Sequence, residues 1–130
     1  VCKMREFYTG YFARIKKYKE LGLYPVSIAR YNPKGMNIFT WSAVAPSEDI
    51  LRDYKSGRIT EIEYDFRYRL QLQNRNILED LHFIDSKIPK EYNGIVLCCY
   101  EKSGTFCHRH ILAEYIDEKF SIPVKEVSLE

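Results

Sequence analysis

Cys107, His108, Arg109 and His110 stand in a row where an apolar run has ended and a helical pattern begins. A thiol, two imidazoles and a guanidinium at a helix start can hold an anion or attack an electrophile. The first turn of a helix carries unpaired N–H groups and the positive end of the macrodipole, so it favours an anion or a thiolate. Arg109 adds a permanent charge in a fork matched to phosphate or carboxylate. Ser103-Gly104-Thr105, just before, could bring further backbone donors, although the pattern is not a glycine-rich phosphate loop. Glu101 follows the apolar run directly and can orient an arginine or carry a proton. Arg30 closes a second apolar run, "PVSIAR", and Lys34 comes after Asn32-Pro33. The expected catalytic groups are therefore Cys107 and Glu101, with Arg30, His108, Arg109 and Lys34 as anion-binding groups.

The same residue types have plainer uses. A free cysteine is usually a small buried hydrophobe, and an arginine at a strand end often lays its stem along apolar surface. Arg109 comes two positions after Cys107, too close for a thiol-phosphatase loop, where five residues separate Cys from Arg, and a rhodanese loop is also a longer turn. Structural zinc needs four convergent ligands, typically in two half-sites. Cys107, His108 and His110 have no second cluster, and His82 is the only other histidine. No metal and no cofactor is expected. Cys98 and Cys99 are neighbours in a strand pattern and should point to opposite faces, and with Cys2 they make no disulfide framework.

These groups need elements to place them. Residues 4–10 read as a strand, residues 11–22 as a helix closing at Gly22, and residues 24–30 as a second strand entered through Pro25. Residues 31–46 show no period and read as a long loop. Ser47 caps a helix running to about Lys55, and Thr60 with Glu63 forms a capping box for a helix to about Asn74. Residues 75–88 carry Ile77, Leu78, Leu81 and Ile84 at helical spacing. "GIVLCCY" is apolar on both faces, as a central parallel strand must be. A helix from His108 to Phe120 and a last short strand in "IPVKEV" complete the chain. Strand and helix alternating in this order specify an α/β fold, a Rossmann-like three-layer sandwich with a mostly parallel sheet. Functional groups in such folds collect at the carboxyl ends of the strands. Thr9-Gly10, Arg30 to Lys34, and Glu101 to Arg109 are expected to meet at that rim.

Residues 1–130 fit one domain with one core. The chain is 45% hydrophobic, 15% aromatic and 29% charged, a globular composition. Eleven tyrosines suggest a core edge that is half wet. The net charge of +2 gives no support to nucleic-acid binding, although a local basic groove of Arg14, Lys16, Lys17, Lys19, Arg30 and Lys34 stays open as a reading. No window is apolar enough for a membrane span and no signal-peptide core is present, so the expectation is a cytoplasmic protein.

Several segments together resemble a known family. "FYTGYF" before a helix, "PVSIARYNPKG", "APSEDILRDYKSG", "EYDFRYRLQL" and above all "VLCCYEKSGTFCHRHILAEYI" resemble the compact branch of the domain of unknown function 488 family. The last segment matches its most specific feature, an apolar strand, a Glu, a variable loop and Cys-His-Arg at a helix start. The resemblance implies a Rossmann-like fold and implicates Arg30, Glu101, Cys107, His108 and Arg109. An apolar residue between Thr9 and Gly10 is missing, which weakens any role for the first loop. No reaction comes with the family. The leading reading is an anion pocket for a phosphate-bearing small molecule or nucleotide. A nucleic-acid-binding or processing module and a non-catalytic interaction domain are the alternatives.

Overall fold

The computed structural model describes residues 4–101 and 106–128. Five parallel strands form one sheet: β1 (Glu6–Tyr11), β2 (Leu23–Ser27), β3 (Phe39–Thr40), β4 (Gly94–Cys99) and β5 (Val124–Glu126), in the spatial order β3-β2-β4-β1-β5. Among the described residues, five α-helices connect them: α1 (Ile15–Glu20), α2 (Glu48–Lys55), α3 (Glu61–Gln73), α4 (Ile77–Lys87) and α5 (His108–Phe120). This is an α/β three-layer sandwich of the Rossmann-like kind, with the sheet parallel throughout.

Every residue of β4 is buried, which explains its unbroken apolar sequence. Its side chains alternate between two cores. Ile95, Leu97 and Cys99 join the larger one, filled by Ile50 of α2, Tyr64, Tyr68 and Leu72 of α3, Leu81 and Ile84 of α4, and Ile111, Leu112 and Ile116 of α5. Val96 and Cys98 join the smaller one with Phe12, Tyr18 and Ala29. Cys98 and Cys99 thus face opposite layers, as the strand period requires.

The local signals operate as read. Thr60 Oγ1 accepts from Glu63 N while Glu63 Oε1 accepts from Thr60 N, closing the capping box on α3. Ser47 Oγ caps α2 through Ile50 N. Gly22, just beyond α1, has a φ of 80° that only glycine adopts without strain. Two parts of the reading change. Thr9 and Gly10 lie inside β1, not in a loop after it. Gly10 is there for space, because a Cβ would strike the Tyr18 ring and hydroxyl. The long loop of residues 31–46 holds the two residues of β3 and a 3₁₀ turn, Ser42–Val44, features too short to leave a period in sequence. Of the described tyrosines, Tyr18 and Tyr68 are fully inside, and Tyr64 and Tyr115 are buried with a small part still exposed. The Tyr68 hydroxyl donates to Val44 O, so burial of its ring leaves no polar atom unpaired. No described helix is long and apolar enough to cross a membrane.

Candidate functional site

At the carboxyl ends of β2 and β4 lies a cavity of about 230 Å³. It forms because these neighbouring strands end together while their following segments diverge. Ala29, Arg30 and Tyr31 come from the segment after β2, and Cys99, Tyr100 and Glu101 from the end of β4. Pro46, Leu51 and Lys55 of the α2 region, Tyr64 of α3 and His108 of α5 complete the lining. Arg30 is exposed, and its Nε donates to Pro46 O at 2.8 Å, which anchors the side chain across the cavity mouth. Among the described residues, neither Arg30 nor Lys55 has a carboxylate within ion-pair distance. Burial raises the Tyr64 hydroxyl pKa, and the nearby charge of Glu101 adds to the effect.

Arg30, Glu101 and His108 therefore share one concavity, as the strand-end argument requires. Arg109 does not join them. It is wholly buried, and its guanidinium is already committed. Nε and Nη2 each donate to the Glu126 carboxylate at 3.0 Å, and Nη1 donates to Glu101 O and to Cys99 Sγ. Glu126 in turn accepts from Thr9 Oγ1 at 2.6 Å. The expected anion-binding fork is instead a clamp that fastens β5, β1 and the end of β4 to α5. Sequence could not show this, since the partner carboxylate lies on the far side of α5 in the chain. Lys34 sits in the exposed turn after β2 and does not line the cavity. Ser103-Gly104-Thr105 and Cys2 lie outside the described residues.

Cys107 also differs from expectation. It is the N-cap of α5, with extended backbone, and is buried instead of open to the cavity. Its sulfur meets that of Cys99, and the Cα atoms of the two residues stand 7.6 Å apart. Burial and this contact deny Cys107 the open access to the cavity expected of a nucleophile. Cys98 is buried and free, its thiol pushed up to about 12 by loss of solvation. His108 Nε2 lies 2.7 Å from Ile28 O, and Nδ1 lies 3.7 Å from Cys107 Sγ. A carbonyl only accepts, so Nε2 carries the proton and Nδ1 presents its lone pair. Burial lowers the pKa to about 4, so the ring is neutral at ordinary pH. Cys99, Cys107 and His108 consequently converge, each ligand atom within 4.8 Å of the others. The expected absence of a metal cluster rested on Cys107, His108 and His110, and the fold supplies Cys99 in place of His110.

Lys55, Tyr31 and Tyr64 were not legible as site residues. Lys55 is an ordinary basic residue at a helix end, and only the packing of α2 brings it to β2. Tyr64, Tyr68 and Leu72 do recur every four residues, which marks them as an inward stripe of α3. The basic residues Lys16, Lys17 and Lys19 lie on α1, which covers the opposite sheet face, and Lys17 pairs with Glu20 at 3.7 Å.

Comparisons with curated proteins and with solved structures returned no match. A family model does match, described as the active DUF488-N3 subclade, and it spans residues 11–120. That span takes in β2, β3, β4 and both halves of the cavity, Arg30 to Lys55 and Cys99 to His108, and the chain belongs to the domain of unknown function 488 family.

Proposed function

We propose that the cavity binds a small phosphate-bearing molecule, such as a nucleotide, and that Arg30 and Lys55 hold its anionic group. The observation that carries this reading is the pair of cationic side chains at the mouth of a concavity walled by Tyr31, Tyr64 and Tyr100. A phosphate needs the charges, and a base or sugar needs aromatic and apolar walls. The cavity is sized for one small ligand, and it opens where parallel α/β sheets place their ligands. Glu101 lines the same cavity and supplies a carboxylate for acid/base work on a bound molecule. Cys107 takes no direct part, and Arg109 acts by holding the Glu101 backbone in place.

Calorimetric titration with inorganic phosphate and with a nucleoside monophosphate tests the reading. Arg30→Ala and Lys55→Ala should each weaken binding by on the order of tenfold or more, the value of one lost charge-assisted contact. Affinity that is unchanged in both variants, or no binding to the wild-type protein, refutes it.

A further inference from the structure

The Cys99–Cys107–His108 cluster has a second use that does not depend on which molecule fills the cavity. We infer that it is a three-ligand site for a zinc-class divalent ion, with the fourth position open to the cavity. Two buried sulfurs come into contact either as a disulfide or because they share a soft ion. The surroundings favour the ion for four separate reasons.

The first is span. The Cα atoms of Cys99 and Cys107 are 7.6 Å apart, beyond the roughly 4.4–6.8 Å that a disulfide usually bridges. Two thiolates on one ion, each at about 2.3 Å, cover such a distance without drawing the backbone in. The two sulfurs, in contact here, part as the ion enters.

A third ligand is also aimed correctly. His108 Nδ1 lies 3.7 Å from Cys107 Sγ. On a tetrahedral zinc ion, bond lengths near 2.3 Å for sulfur and 2.0 Å for nitrogen place those two atoms about 3.5 Å apart. A disulfide needs no imidazole beside it.

Outer contacts point the same way. The other histidine nitrogen donates to Ile28 O at 2.7 Å, the arrangement that fixes the tautomer of a metal-binding imidazole. Arg109 Nη1 donates to Cys99 Sγ at 2.9 Å, which stabilises negative charge on that sulfur. The clamp thereby offsets part of the charge of a dithiolate held away from water.

Access completes the case. Cys107 is interior, but Cys99 and His108 also line the cavity. Two cysteines and one histidine with an open fourth position is the donor set of a catalytic zinc site, not of a closed structural one. The open position would accept water or an oxygen of the cavity's ligand. Arg30 and Lys55 sit on the same cavity and would hold the rest of that ligand.

The test uses the whole protein, purified without oxidant or chelator. Bound metal is measured by mass spectrometry, and thiols are titrated after denaturation. One ion per chain with all four thiols free supports the site. Two missing thiols, mapped by peptide analysis to a Cys99–Cys107 disulfide, overturn it. Metal-stripped protein titrated with Co2+ should then give a thiolate-to-cobalt charge-transfer band and the strong visible bands of a tetrahedral ion. Cys99→Ser, Cys107→Ser and His108→Asn should lose these bands, and Cys98→Ser should keep them. Bands that survive in all three ligand variants, or no uptake by wild-type protein with free thiols, overturn the inference. Should a ligand variant fail to fold, the wild-type metal and thiol counts still decide. Arg30→Ala should leave cobalt uptake unchanged, so a failure of phosphate binding and a failure of metal binding can be told apart.

Discussion

Replacing Glu126 by Gln isolates what the buried guanidinium does. The substitution keeps one oxygen for Thr9 and Arg109, but it removes the charge and turns the other oxygen into an N–H donor. Arg109 has no exposed surface on which to recover the loss by solvation. Breaking a buried pair by removing one partner typically costs about 3–5 kcal/mol. The Glu126 side chain is 26% exposed, so its half of the pair keeps some water and the lower end, about 3 kcal/mol, is the expected value. With a urea slope of about 2 kcal/mol per molar, the unfolding midpoint should fall by about 1.5 M. Trp41 is the single tryptophan, buried, and its indole N–H donates to Asp80 at 3.0 Å, so its fluorescence reports loss of the larger core. The double variant Arg109→Met/Glu126→Leu should lose less than the sum of the two single changes, because it leaves no unpaired charge behind. A midpoint shift under about 0.3 M for Glu126→Gln would refute the clamp, since a mutational effect of that size is within the range of neutral surface changes. Arg109 would then again be a candidate for holding a ligand.

Two further outcomes follow from packing and charge. Leu97 is fully buried at the centre of β4, so Leu97→Ala should cost about 2–5 kcal/mol in the same urea assay, whereas a negligible change would place β4 at an edge of the sheet. Asp53 of α2 receives Arg67 Nη1 of α3 at 2.8 Å, a contact that holds its carboxyl below the ordinary value, with Arg52 and Arg58 adding to the effect. Its folded pKa is depressed, so its contribution is complete above the unfolded value of about 3.9 and is lost as pH falls through the folded one. Arg67→Gln should lower the melting temperature at neutral pH and flatten the fall in melting temperature below about pH 4. Parallel wild-type and variant profiles would show that the pair is inert.

What the sequence disclosed was local or periodic. Thr60 and Glu63 are three residues apart, and their capping box needs no tertiary information. The run from Gly94 to Cys99 declares a strand covered on both sides, and Arg30 and Glu101 follow as neighbours because parallel strands share one carboxyl end. The fate of Arg109 was hidden because its carboxylate arrives on β5, after a whole helix has intervened. Cys99 was hidden as a partner of Cys107 for a related reason. Strand period assigns it a face, but the direction in which α5 returns across the end of β4 decides what that face meets. Lys55 carries no mark at all until α2 is docked.

The sheet's outline has a consequence for how this protein can fail. Its outer strands offer two residues in β3 and three in β5, too little open backbone to recruit a strand from another molecule. The segment most suited to cross-β stacking, the apolar β4, is flanked on both sides and has no free edge. Native molecules should therefore be poor seeds for self-association even at high concentration. Aggregation must wait until the middle of the sheet opens, and its rate should track global unfolding instead of the fraying of either edge.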